Sequence, residues 1–377
     1  MNDLTIRSAK EVIFGSGARR QVGRQAALLG GRALVVSGRT AMQRSGAADE
    51  LLACLAEAGV AGAVFAEVEA EPSLDTVDRG REAFHNQQCD LVIAIGGGSA
   101  LDVGKAIAAL APCPEPVSHY FAGVEVRGQG RPCIALPTTS GTGAEVTPNS
   151  VLTDTTTAEK ASIRGHCLLP EVAVVDPELT FSCPRDQTAF SGLDALTQAI
   201  EAYVSTGANT VSDALCEESV RRIAGSLRRA VEDGADRQAR EDMALGSLLA
   251  GLALASARLG LVHGLAHPLG ALYHLPHGQV CGALLPHVMA HNLRAAGPRY
   301  AQLARILDLG ADAAALVAWV AALVRDLGAQ LNFAAAGLTE ADFPAIVPPA
   351  LASGSSKHNP RPVDETGVRE LLAALIA

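Results

Sequence analysis

The chain has 377 residues, 49% of them hydrophobic and 19% charged, which excludes a disordered polypeptide and is too long for one ordinary core, so two domains are expected. A formal net charge of −10 argues against a nucleic-acid partner, because no basic field exists to displace counterions from phosphates. The opening MNDLTIRSAK lacks a basic-then-apolar signal pattern, and the longest apolar stretch, Ala313–Val324, falls short of the roughly 20 residues needed to cross a bilayer. A cytoplasmic protein with no membrane partner is expected, with that stretch as a buried helix.

In chain order, the first half alternates apolar runs rich in β-branched residues with helical patterns. ALVVS (33–37), AVFAEV (63–68), LVIAI (91–95) and CIALP (133–137) suit parallel strands buried on both faces. Ala47–Ala58, rich in Ala, Leu and Glu, reads as one of the intervening helices. AVVDP (173–177) reads as the last strand of a doubly wound α/β layer. After Pro184 strand signals almost vanish and helical periodicity takes over. The predicted division is an α/β nucleotide-binding domain over residues 1–184 and an all-helical domain over 185–377. LASGSSKHNPRP (351–362) reads as a loop before a last amphipathic helix at Asp364–Ile376. Eight cysteines lie scattered from Cys54 to Cys281 without a CxxC pair, the usage of reduced, buried thiols.

Two loops point to a nucleotide. LVIAI runs into Gly96-Gly97-Gly98-Ser99 and then a helical run. That places backbone N–H groups and the positive end of a helix where a pyrophosphate can approach without meeting a Cβ. Asp102 follows, placed to cap N–H groups or to bond a ribose. The spacing is not GxGxxG, so the ordinary dinucleotide fingerprint is not met. CIALP runs into Thr138-Thr139-Ser140-Gly141-Thr142-Gly143-Ala144-Glu145, where clustered hydroxyls and glycines offer donors. Both loops follow the carboxyl ends of expected parallel strands, where open α/β sheets bind ligands.

A metal is indicated further on. Asp194 and Gln198 stand four apart on an expected helix, and so do His263 and His267, which places each pair on one face; His277 follows. Six of the ten histidines fall between His263 and His291. A carboxylate with imidazoles suits Fe(II) or Zn(II) better than Mg(II) or Ca(II). Spacing alone leaves His274, His287 and His291 open as donors.

GGGSALDVGKAIA, LPTTSGTGAEVT, GLDALTQAIEAY and LVHGLAHPLGALYHLPHG occur in the order and rough spacing of the iron-containing (group III) alcohol dehydrogenases, whose fold is shared with dehydroquinate synthase. With FGSGA near the start, then ALLPHVMAHN and NPRPV, the chain most resembles the lactaldehyde and propanediol oxidoreductase branch. The resemblance implies reversible hydride transfer between NAD(P) and a primary alcohol or aldehyde, with the active site in a cleft between the two domains. It also implies assembly as a dimer or larger homo-oligomer. By motif position, Asp194, His263 and His277 match metal ligands, and His267 matches a histidine beside substrate and nicotinamide. Gly97, Gly98, Ser99, Asp102, Thr138, Thr139, Thr142 and Lys160 match cofactor contacts. Asn149 matches a substrate-pocket residue, and Leu254 and Leu259 line that pocket by the same analogy.

Two departures bear on these expectations. Gln198 stands where the family usually has histidine; as a fourth ligand its amide oxygen is harder and weaker than imidazole, so loose metal binding is expected. Gly38 stands where NAD-preferring relatives often carry an acid, and Arg39 follows. A guanidinium pairs with phosphate in a fork, so the expected cofactor is NAD(P) with a lean toward NADP. A maleylacetate reductase-like activity with little metal dependence, and a dehydroquinate synthase-like lyase, are the alternatives. Retained Asp194 weighs against the first, and the HGLAHPLG motif is unlike the second.

Overall fold

The computed structural model describes residues 5–40, 46–157 and 159–376. They divide into two compact units, one of Arg7–Cys183 and one of the residues from Pro184 onward joined by Thr5 and Ile6.

The first unit alternates strands and helices: β1 (Glu11–Phe14), α1 (Val22–Leu29), β2 (Arg32–Gly38), α2 (Ala47–Glu57), β3 (Ala61–Val68), α3 (Leu74–Asn86), β4 (Leu91–Gly96), α4 (Gly98–Leu110), α5 (Val117–Phe121) and β5 (Cys133–Pro137). A hairpin, β6 (Asn149–Asp154) and β7 (Glu159–Arg164), precedes β8 (Val172–Val175). Six strands form a parallel sheet in the order β1-β8-β5-β4-β2-β3. Alternation of side chains sends Leu91, Ile93 and Ile95 to one face with Val35, Ile134 and Leu136, and Val92 and Ala94 to the other with Leu34, Val36 and Ala135. Every residue of β4 and β5 is buried, which is why those segments read as unbroken apolar runs.

Several sequence expectations change here. AVFAEV forms β3, but at the edge of the sheet with one face largely exposed, so it is not buried on both sides. AVVDP supplies the last strand in the chain, yet β8 sits inside the sheet between β1 and β5. The edge strand β1 and the β6–β7 hairpin carried no signal, being short and mixed in polarity.

The second unit is helical: α6 (Arg185–Val204), α7 (Thr210–Glu232), α8 (Arg237–Ala257), α9 (Leu261–Tyr273), α10 (His277–Ile306), α11 (Ala313–Asp326), α12 (Phe343–Ala352) and α13 (Glu365–Ile376). α6 is buried almost all round, the mark of a core helix, although it carries Asp194, Gln198 and Glu201. The apolar stretch Ala313–Val324 forms most of α11, which buries one stripe, Leu316, Val320, Leu323 and Val324, and is not enclosed on every side. No single helix among the described residues is long and apolar enough to cross a membrane.

Candidate functional site

In the α/β unit, the register sets the candidate cofactor residues side by side. Ser37 pairs with Ile95 and Gly96 with Pro137, so Gly38, the glycine loop and Thr138 emerge together from the carboxyl ends of β2, β4 and β5. The chain goes outward from β2 to β3 and returns to β4 before running the other way, and such a reversal is where open sheets bind ligands. The two loops abut: a Cβ on Gly98 would stand 2.7 Å from Thr142 Cγ2, and one on Gly97 3.6 Å from Thr139. Glycine at 98 is therefore a packing requirement as well as an opening for a ligand. The Thr138 N–H donates to the Gly96 carbonyl at 2.9 Å.

Asp102 lies beyond the first turn of α4 and does not cap it. Its Oδ2 accepts from the Val151 N–H at 3.0 Å and its Oδ1 from Lys105 Nζ at 3.2 Å. Burial lifts the Asp102 carboxyl above its usual range against the opposing pull of Lys105, the Val151 N–H and Lys160. Lys105, fully enclosed, also donates to the Ala144 carbonyl at 2.9 Å, so one buried ammonium ties α4 to the end of the second loop. Ser150 Oγ donates to the Asp102 carbonyl at 2.9 Å. The same network thus fixes the start of β6, where Asn149 lies half-buried. Lys160 on β7 is ion-paired with Glu71. Arg39 is exposed, its Nε donating to the Glu67 carbonyl at 3.2 Å.

In the helical unit, Asp194, His263, His277 and Cys281 bring one donor atom each into a group whose members all lie within 4.8 Å of one another. His263 Nε2 is 3.3 Å from Asp194 Oδ1, His277 Nε2 is 3.9 Å from that oxygen, and Cys281 Sγ is 3.5 Å from His277 Nε2. Metal–donor bonds of about 2.0–2.3 Å place the corners of a tetrahedron about 3.3–3.8 Å apart, so these separations are of the size a metal requires. Helix packing builds the group. A Cβ on Gly278 would stand 2.3 Å from the Phe190 carbonyl oxygen, so only glycine lets α10 start against α6 and bring His277 to Asp194.

Glu201, one further face-turn along α6, orients the site. Its Oε2 lies 2.6 Å from His263 Nδ1 and its Oε1 accepts from the Val262 N–H at 2.7 Å. A carboxylate on Nδ1 fixes the tautomer that aims Nε2 at the donor group, the usual support for a ligating imidazole. Asn359, from the NPRPV segment, accepts from the Leu261 N–H at 3.3 Å and exchanges amide hydrogen bonds with Asn292, bracing α9 to α10. Burial raises the Asp194 carboxyl, but the His263 hydrogen bond, the charges of His277 and His263 and the Gln198 amide outweigh it and hold it below the ordinary range. Burial lowers the His263 imidazole, yet Cys281, Asp194 and Glu201 together hold it well above its ordinary value. Burial pushes the Cys281 thiol up to about 11.

His267 is half-buried and stacks on His277, ring centroids 5.2 Å apart, outside the donor group. Gln198 is buried; its amide hydrogen-bonds Asp194 while its Oε1 has no partner. Of the histidines that spacing left open, His274 ends α9 in a left-handed conformation, His287 is exposed and His291 meets Arg361; none joins the group. Leu254, in the last turn of α8, and Leu259, in the short link to α9, are half-buried. Sequence reasoning missed Cys281, Glu201 and Lys105. Cys281 had a signal, since it follows His277 by one helical turn, but it read as one more buried thiol.

An α/β layer with adjoining loops for a dinucleotide, followed by helices that gather a carboxylate, imidazoles and a thiol, is the construction of a metal-assisted dehydrogenase. Residues 9–177 match the family model for iron-containing alcohol dehydrogenase, and residues 188–376 match that for the C-terminal part of the Fe-containing alcohol dehydrogenase family. The chain belongs to the iron-containing alcohol dehydrogenase family, and it is an oxidoreductase interconverting alcohols and aldehydes. It is 40% identical to the 1,3-propanediol dehydrogenase of Citrobacter freundii, over 95% of each chain. It is 37% identical to the lactaldehyde reductase of Escherichia coli strain K12, over 90% of this chain and 91% of that one. The crystal structure of a 1,3-propanediol oxidoreductase superposes with a TM-score of 0.94 at 38% identity, covering 99% of this chain and 100% of that one.

Proposed function

We propose that this chain reduces short-chain aldehydes to primary alcohols, and runs the reverse reaction, with NADP(H) accepted at least as well as NAD(H). The observation that carries the reading is the group of buried Asp194 and His263 with half-buried His277, in a chain whose glycine and threonine loops adjoin at the carboxyl edge of a parallel sheet. In this reading the α/β unit holds the dinucleotide through Gly97, Gly98, Ser99, Asp102, Thr138, Thr139, Thr142 and Lys160. The helical unit holds metal and substrate. A divalent metal, Fe(II) or Zn(II), supplies Lewis-acid polarisation of the substrate oxygen. Glu201 keeps His263 in the ligating tautomer. His267 passes the alcohol proton to and from solvent. Leu254 and Leu259 are the substrate-side residues of the helical unit and Asn149 the candidate substrate contact of the α/β unit; aliphatic side chains at 254 and 259 suit short-chain aldehydes. Work in the cytoplasm as a dimer or larger assembly belongs to the same proposal.

The lean toward NADP(H) rests on the missing carboxylate at Gly38 and the exposed guanidinium of Arg39. A Cβ at Gly38 would meet only the Val68 carbonyl, at 3.7 Å, so Gly38→Asp fits and should shift preference toward NAD(H). The test follows the absorbance of reduced nicotinamide with propanal or lactaldehyde, with each cofactor, in metal-loaded and chelated protein. Oxidation of NADPH that disappears with chelation and returns with metal is expected. Turnover unaffected by chelation would overturn the metal reading, and strict use of NADH would overturn the cofactor preference.

A further inference from the structure

The residue at 198 leaves the metal short of an imidazole, and a different side chain stands ready in its place. We infer that Cys281 is the fourth protein ligand of the metal, giving a donor set of one carboxylate, two imidazoles and one thiolate that favours Zn(II) over Fe(II). The inference rests on the metal reading above.

Three observations support it. Cys281 Sγ belongs to the group of donors within 4.8 Å of one another, and its 3.5 Å separation from His277 Nε2 matches the edge of a zinc polyhedron with a Zn–S bond of about 2.3 Å. The donor nitrogen of His263 also lies within 4.8 Å of that sulfur, so the sulfur stands near both imidazoles. Its position on α10 is fixed: it follows His277 by one turn and is fully enclosed, so it needs no rearrangement to reach the centre. Gln198 is the rival. Its buried Oε1 has no partner, but an amide oxygen is a poorer ligand for a borderline-soft ion than a thiolate. Ligation forms a sulfur–metal bond as the thiol proton passes to solvent; nothing is oxidised or reduced.

Thiolate ligation selects zinc because sulfur is a soft donor, while Fe(II) is better served by imidazole and carboxylate. The test uses the full-length protein. Cobalt(II) loaded in place of the natural metal should show the visible bands of a bound ion and, in the near ultraviolet, a thiolate-to-cobalt charge-transfer band. Cys281→Ser and Cys281→Ala should both lose the ultraviolet band. Their Zn(II) affinity, measured by competition with a chelating dye, should fall by at least the ~10–100-fold that loss of an outer-sphere partner alone can cost. Gln198→Ala should keep the band. In direct competition the natural protein should retain Zn(II) in preference to Fe(II), and Cys281→Ala should lose that margin. Visible bands without the thiolate band in the natural protein, or unchanged Zn(II) affinity in both Cys281 variants, overturn the assignment while leaving the metal reading intact. Failure of the natural protein to take up cobalt or zinc at all overturns both. Circular dichroism of each variant identifies one that has not folded, and the cobalt spectrum of the natural protein decides the matter without any variant.

Discussion

His267 and His263 share a face of α9, yet their surroundings divide their labour. His263 is enclosed between Asp194 and Glu201, both within 3.3 Å of its ring nitrogens, whereas His267 is half-buried and stacks on His277. An imidazole with a reference pKa of about 6.5 is suited to exchanging a proton near neutrality. His267→Ala should therefore keep its metal while turnover falls by about 10²–10⁴-fold, the usual worth of a positioned acid or base, and the pH dependence of kcat should flatten. Metal content by atomic absorption decides it; loss of metal along with activity would make His267 a ligand. Helical spacing and histidine crowding marked the region of the donor group in the sequence but left His274, His287 and His291 open, and it was the family resemblance that singled out Asp194, His263 and His277. Cys281 and Glu201 obey the same spacing but were not legible as site residues. A thiol among eight scattered ones carries no mark, and an acid on a helix reads as solvent-facing until its imidazole partner is seen.

At the scale of elements, the glycine loop and the threonine loop were readable from their strand–loop–helix context, but what joins them was not. Lys105 was not singled out in the sequence; in the fold it is enclosed and bonded to Asp102 and Ala144. Next to it, the short 3₁₀ turn Ala144–Val146 buries Glu145. Burial lifts the Glu145 carboxyl to about 7, its own backbone N–H and Lys105 pulling the other way. Below about 4.5, the ordinary value, both folded and unfolded chains hold this proton and it has no effect on stability. Between about 4.5 and about 7 the unfolded chain releases it first, so stability falls as pH rises, by about 3 kcal/mol in all. Glu145→Gln should be more stable than the natural protein at pH 8 by up to that amount and equal to it at pH 4. Urea unfolding at the two values measures the difference, and a variant equally destabilised at both would show that the carboxyl is held for its hydrogen bonds.

For the molecule as a whole, the change from strand to helical periodicity after Pro184 was plain in the sequence, since a buried parallel sheet and a helical core write different patterns. The edge strand β1 and the β6–β7 hairpin were not, because they are only partly buried and mix polar with apolar residues, so their pairing comes from tertiary contacts that no local period encodes. The hairpin matters, for it carries Asn149 and Lys160.

The donor group draws Asp194 from α6, His263 from α9, and His277 and Cys281 from α10, which makes metal concentration a thermodynamic variable of the helical fold. An ion that binds only the folded arrangement stabilises it by mass action, by about 4 kcal/mol at a thousand times its dissociation constant. Chelation should speed amide hydrogen exchange most in those three helices and leave the strands of the parallel sheet unchanged; uniform acceleration, or none, would show that the ion does not cross-link them. Cells starved of metal would then hold not an intact enzyme awaiting its cofactor but one whose helices open more often, more exposed to proteolysis and slower to accumulate. Supply of the ion would set the lifetime of this protein as well as its rate.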